Sequence, residues 1–218
     1  MPYRRTENVE RKLAARHEAI LKAARALASE GGIGAVQIAP VASRAGIAAG
    51  TVYRYFPSKT ELVAALAAAQ SHVEIAALAK AADAAPGPLS ALAAVLTTFG
   101  ARVLADRRLA FALIAEPVER DLDEVRVGYR KELAGVFEQR IRAALAAGHL
   151  PDHDPAITAP ALVGALIDGL IGPLAPAVRD AAAARAAVQT LTLFGLRALG
   201  VVDARARGLV VQAHMPKT

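Results

Sequence analysis

Apolar residues recur along this chain at intervals of three and four, and the runs they form are interrupted by glycine, proline and short polar clusters. That period marks amphipathic helices. The first clear run, Arg11 to Glu30, places Leu13, Ile20, Leu21, Ala24, Leu27 and Ala28 on one face, with Arg16, Lys22 and Arg25 among the polar positions. It stops at Gly31-Gly32-Ile33-Gly34, where glycine can take the left-handed conformation that ends a helix. A phosphate loop is the other reading of such a run, but no Gly-Lys-Ser/Thr follows and the GxGxxG spacing is missing. A short helix is predicted over Ile38 to Ala45, where Pro40 is tolerable in the first turn, and Gly46 breaks it. A third helix, Gly50 to Phe56, closes at Pro57. Ser58-Lys59-Thr60-Glu61 then forms an S-x-x-E capping box that opens a fourth, reading on to about Ala84.

Ala85-Pro86-Gly87-Pro88 is the clearest break in the chain. Beyond it the spacing predicts helices at about Leu89–Leu104, Arg107–Ala115, Arg120–Ala147, Pro155–Val178 and Asp180–Gly200. There is no alternation of β-branched residues long enough for a strand, so the expected fold class is all-α. Composition agrees: 54 of 218 residues are Ala, against five Phe, four Tyr and no Trp. The interior is therefore built from small side chains on closely packed helices. With 55% hydrophobic and 21% charged residues the chain is globular, neither disordered nor collagen-like. The absence of cysteine removes disulfides, Cys-based zinc sites, iron–sulfur clusters and thiol nucleophiles together. The charged first residues, Met1 to Arg16, offer no apolar run for a signal peptide. The only membrane-like stretch is Pro155 to Val178, where Asp168 and Pro160, Pro173 and Pro176 argue against a span. A cytoplasmic protein with no membrane partner is expected.

Charge divides the chain unevenly. Residues 1–70 carry ten Lys/Arg and five Asp/Glu, net +5, which leaves +1 of the total +6 for the remainder. A basic end on a nearly neutral body is suited to a polyanion. Within that end, two short helices joined by a tight Gly-containing turn are the helix-turn-helix pattern. If Gly50 to Phe56 is the recognition helix, Thr51, Tyr53, Arg54 and Tyr55 crowd two turns behind a helix N-terminus that attracts phosphate, and Gly50 lets the backbone approach a DNA strand. Tyr and Thr hydroxyls bond phosphate oxygens, and Lys59 can reach the flanking backbone. Arg44, at the end of the preceding helix, is a further candidate for a backbone or base contact. Of Tyr53 and Tyr55, which point in different directions on a helix, one is expected to be core. Arg4, Arg5, Arg11 and Lys12 could form a minor-groove arm, although a solvated terminus is the commoner fate.

The run Gly46-Ile47-Ala48-Ala49-Gly50-Thr51-Val52-Tyr53-Arg54-Tyr55-Phe56-Pro57-Ser58-Lys59-Thr60-Glu61-Leu62 resembles the helix-turn-helix signature of the tetracycline-repressor (TetR) family of transcription regulators. The resemblance extends back through Ile20-Leu21-Lys22-Ala23-Ala24 and Gly31, covering about residues 11 to 66. It implies an all-helical homodimer with a DNA-binding domain at 1–57 and an effector-binding and dimerisation domain at 58–218. It also implies a palindromic double-stranded operator, released when an effector binds, and makes Tyr53 the DNA contact and Phe56 a core residue. Three positions depart from the family pattern. Ala48 stands where Ser or Thr is usual, so the recognition helix lacks a side-chain N-cap worth about 0.5–2 kcal/mol; Ala49 replaces a polar or basic residue; and Gln37 replaces the usual Thr capping the second helix. An Ala methyl at 48 or 49 can still meet a thymine methyl.

The body offers less specific signals. Arg102, Glu116, Tyr129, Arg130, His72 and Asp168 lie in or beside apolar helical stretches, and one or two of them are expected to line a pocket. Phe99 and Phe111 are core residues or walls of the same cavity. Candidate ligand contacts are thus Phe99, Arg102, Phe111, Tyr129 and Asp168, around a small apolar effector not identifiable from the residues. The last two long helices carry apolar faces too broad for surface helices and are expected to form the dimer's four-helix interface, where Asp168 and Arg197 could pair. His149, Asp152, His153 and Asp154 have metal-ligand residue types, but a polar turn between helices needs the same ones. No metal, cofactor or catalytic constellation is expected, and the chain is not read as an enzyme. The leading function is a ligand-responsive DNA-binding repressor; the alternative is a helical small-molecule-binding or scaffolding protein without operator-specific DNA binding.

Overall fold

Four helix starts carry a side-chain cap among the described residues, and the sequence reading named the first of them, Ser58. In the computed structural model, which describes residues 3–118 and 120–213 and no side chains for 3–7 or 121, Ser58 accepts a hydrogen bond from Glu61 N at 3.1 Å, Asp106 from Leu109 N at 3.2 Å, Asp154 from Ala156 N at 2.8 Å and Asp180 from Ala183 N at 2.7 Å. These caps satisfy N–H groups that a helix leaves unpaired at its start. The elements are α1 (Tyr3–Gly31), a 3-10 turn (Ile33–Ala35), α2 (Ile38–Ala45), α3 (Ala49–Tyr55), α4 (Lys59–Asp83), α5 (Pro88–Ala105), α6 (Arg107–Ile114), α7 (Arg120–Ala146), α8 (Pro155–Leu170), α9 (Ala181–Ala198) and α10 (Asp203–Gln212). No strand occurs among the described residues.

Two boundaries and one whole helix differ from the sequence reading. α1 starts at Tyr3 instead of Arg11, because its first turns are charged residues of good helix propensity that lack an apolar face. α8 ends at Leu170 instead of Val178. Pro173 cannot continue the ladder, and Gly172 N closes back on Ile167 O at 2.8 Å. α10 was not anticipated; its sequence is polar and buries only Ala206. Asp203, in its first turn, gathers Arg197 from α9 and Arg207 from α10, the latter at 2.9 Å, and these guanidinium bonds, Arg207's first, hold the Asp203 carboxyl below its ordinary pKa.

α5 is the central helix: 12 of its 18 residues are buried, and it packs against α4, α7 and α9. Small residues allow the approach. A Cβ built on Gly100 would lie 3.2 Å from the Val188 methyls, and one on Gly195 would lie 2.9 Å from Leu162 Cδ1. Phe99 and Phe137 meet edge to face at 6.2 Å between centroids, both fully buried. Thr97 and Thr192 hydroxyls satisfy each other at 3.3 Å inside the α5–α9 seam. α4 and α5 are each long and apolar enough to cross a membrane by length and composition, which corrects the expectation that Pro155–Val178 was the only such stretch. Most of α5 is spent on the core of the fold. One connected cluster of buried apolar side chains runs from Ile20 of α1 to Ala206 of α10.

Candidate nucleic-acid interface and pocket

The helix-turn-helix is built by local rules. α2 ends in a Schellman motif: Gly46 sits at φ 67°, its N–H donates to Ser43 O at 3.2 Å, and Ile47 N donates to Ala42 O at 3.0 Å. Only glycine holds that backbone without strain. Ala48 is extended at φ −70°, ψ 144°, and offers α3 no side-chain cap; Gln37 likewise gives α2 none. α3 buries Val52, and Phe56 beyond its end is also core. Tyr53 is 53% exposed, with Gly50 and Arg54 exposed beside it and Thr51 and Ala49 half-buried. Tyr55 turns inward; its ring lies 6.4 Å from that of His17 on α1 and its hydroxyl is buried. Ala48 is exposed at the turn and Lys59 is half-buried at the start of α4, without an ion pair among the described residues.

Arg44 is engaged already. Its guanidinium grips Glu30 of α1 at 2.5 and 2.9 Å, a bidentate pair whose hydrogen bonds lower the pKa of the Glu30 carboxyl and raise that of Arg44. A DNA contact by Arg44 has to exchange that carboxylate for a phosphate or base. Of the arm candidates, Arg11 and Lys12 are exposed on α1, and the side chains of Arg4 and Arg5 lie outside the described residues.

A pocket of 320 Å³ lies where α1, α4, α5, α6 and α7 converge. Arg102 and Tyr129 line it; Phe99, Phe111 and Asp168 do not. Phe99 is sealed in the core against Phe137, Phe111 is half-buried on α6 and Asp168 is exposed on α8. Arg197 is occupied by Asp203, so it makes no pair with Asp168 within the chain. Glu74 of α4 was missed. It is 4% exposed, lines the pocket and accepts from Arg102 Nε at 2.9 Å. Its signal was present as a lone carboxylate on the stripe Leu62, Leu66, Gln70, Glu74, Leu78, four residues apart and otherwise apolar but for Gln70. Burial pushes the Glu74 carboxyl above its ordinary pKa despite the pull of Arg102. Burial, and then the charge of Glu74, raise the Tyr129 phenol as well, so it stays neutral. The expectation of an apolar pocket is thereby corrected: apolar helix faces surround it, but ionic groups from separate helices meet inside.

Helix α6 joins this pocket to α1. Asp106, which caps α6, also accepts from Ser29 Oγ of α1 at 2.7 Å and lies 3.7 Å from Arg25. Glu116, beyond α6, accepts from Ile33 N at 3.3 Å. In the α7–α8 connection Asp154 caps α8, and His153 Nδ1 is 2.8 Å from Pro151 O.

Residues 20–66 match the family described as bacterial regulatory proteins, tetR family. The HTH-type transcriptional repressor KstR of Rhodococcus jostii is 60% identical over 53 residues, 24% of this chain and 25% of that protein. KstR of Mycobacterium tuberculosis is 56% identical over 48 residues, 22% of each. The match thus spans about a quarter of the length of these curated relatives. Solved structures cover the rest. RolR in complex with resorcinol has a TM-score of 0.69 at 22% identity, covering 95% of this chain and 98% of that one. FadR from Bacillus subtilis in complex with stearoyl-CoA has a TM-score of 0.62 at 16% identity, covering 90% and 98%. At such identities the likeness establishes the fold. The helix-turn-helix is thus matched by sequence to the tetR family of bacterial regulatory proteins, and the remaining helices share the fold of these solved structures.

Proposed function

We propose that this chain is a ligand-responsive DNA-binding transcriptional repressor, with a DNA-binding unit at 1–57 and an effector-binding and dimerisation unit at 58–218. The carrying observation is the connection between its two candidate sites. α1 packs on α2 of the helix-turn-helix and also supplies Arg25 to the pocket and Ser29 to Asp106. An effector that displaces α6 therefore acts on α1, and through it on the separation of two recognition helices that must meet major grooves about 34–36 Å apart. Tyr53, Arg54 and Lys59, with Thr51 and the small surface of Ala48, Ala49 and Gly50, form the DNA-facing patch, mainly through phosphate contacts that set position. Arg44 joins them on leaving Glu30.

Dimerisation through α8 and α9 is supported by the apolar side chains they leave uncovered: Ile157 is 68% exposed, Phe194 50%, and Leu174 just beyond α8 87%. Large apolar side chains left exposed in this way suit an association surface. The relatives named as repressors, and the structural neighbours solved with ligands, support the same reading. Fluorescence anisotropy with the DNA upstream of its own gene, titrated across salt, tests it. Selective binding whose affinity falls steeply with salt is expected; no binding at low salt, or equal binding to any duplex, refutes it.

A further inference from the structure

The pocket has two unlike sides. Aliphatic side chains of α5 and α6, Leu109 and Leu113 among them, form one; Gln70, Glu74, Arg102 and Tyr129 form the other. Glu74 gives Oε2 to Arg102 and keeps Oε1 buried with no hydrogen-bond partner among the described residues. A buried acceptor without a donor carries an uncompensated desolvation cost, which a ligand donor relieves. The ionic groups also balance, Arg25 and Arg102 against Glu74 and Asp106. A charged ligand would enter with no net countercharge to meet it, whereas a neutral one needs none. At 320 Å³, the space is roughly twice the ~150 Å³ cavity that holds a benzene, enough for on the order of ten to fifteen non-hydrogen atoms.

Taking the pocket as the effector site proposed above, we infer that it recognises a neutral molecule with a compact apolar body and a hydroxyl group that donates to Glu74. The apolar body rests on α5 and α6, and the Tyr129 hydroxyl and Gln70 amide are available to a second polar group on the ligand. This narrows the effector from any apolar molecule to small alcohols and phenols.

Calorimetric titration of the full chain, without DNA, compares three probes of similar size: 4-propylphenol, 4-propylanisole and 4-propylbenzoate. The phenol should bind about tenfold or more tightly than the anisole, which accepts but cannot donate, and than the anionic benzoate. In Glu74→Gln the amide offers a donor as well as an acceptor, so the phenol-to-anisole ratio should fall below about threefold. Equal or reversed preference in the wild type overturns the inference, as does failure of all three probes to bind a chain that circular dichroism shows folded. An unchanged ratio in folded Glu74→Gln overturns it too; should that variant not fold, the wild-type ratio decides. Phenol preference without operator binding faults the regulatory reading alone, and operator binding without phenol preference faults this inference alone.

Discussion

Replacing Asp106 with Ala cuts the joint between α6 and α1 at one carboxylate. Three contacts are lost: the cap on Leu109 N at 3.2 Å, the bond from Ser29 Oγ at 2.7 Å, and the 3.7 Å approach of Arg25. A lost N-cap costs about 1 kcal/mol. The Ser29 bond is to a part-buried charged acceptor and contributes roughly 1.5 kcal/mol. The Arg25 side chain is half-exposed, so solvent screening leaves that pair at most about 0.5 kcal/mol. Because one carboxylate serves all three, the losses do not simply add, and about 2–3 kcal/mol is expected in total. For a chain of 218 residues, each kcal/mol moves Tm by about 2–4 °C, so the midpoint should fall by about 4–12 °C. Asp106→Asn keeps a good cap acceptor and loses only the charge, so about 1 kcal/mol is expected. Thermal and urea unfolding followed by far-ultraviolet circular dichroism, with Ser29→Ala and the double variant to close the cycle, provides the measurement. Asp106→Ala within about 0.5 kcal/mol of wild type, or Asp106→Asn as damaged as Asp106→Ala, would refute the reasoning. On the proposed function, Asp106→Asn should still bind operator but release it less completely when ligand is added.

Ala48→Ser should raise Tm by about 1–8 °C, because the extended backbone at 48 is already an N-cap conformation lacking only its side-chain acceptor; no gain in a melting curve would count against that geometry. Lys59→Glu should weaken binding to all DNA sequences alike and lower the salt slope by at least about one, whereas Arg54→Ala should shift base preference; identical effects in anisotropy would overturn the division of roles. Glu74 has a folded pKa raised above its ordinary 4.5 by burial, so its contribution to stability is fully present below 4.5 and is lost as pH rises through the folded value. Glu74→Gln, which does not titrate, should therefore gain on the wild type in urea midpoints as pH rises above the ordinary 4.5; a flat or opposite difference refutes the burial argument.

Legibility followed the range of the interaction. α2 was bounded correctly because Gly46 and the apolar positions Ile38, Val41 and Ala42 lie within eight residues. The burial of Phe56, just beyond α3, agrees with the core place the family motif implies for it, and Tyr53 stands exposed on α3. The end of α8 was readable in principle from Pro173 and was lost by giving weight to the apolar run across it. α10 carried no such signal, because its anchor is an ion-pair cluster contributed partly by α9. Among the ligand candidates, Phe99 was misplaced because its size suits a core partner, Phe137, as well as a cavity wall.

The sequence by itself determined the helices other than α10, the Ser58 cap, the helix-turn-helix and the basic end, since each depends on residues close together in the chain and on the fixed 3.6-residue period. Only the tertiary structure decided that Glu74, Arg102, Tyr129, Asp106 and Arg25 share one pocket, that Arg44 is held by Glu30, and that Ser29 ties α1 to α6. Those meetings depend on how helices far apart in the chain cross. That crossing is set by the summed packing of many small apolar side chains, none of which names its partner in the sequence.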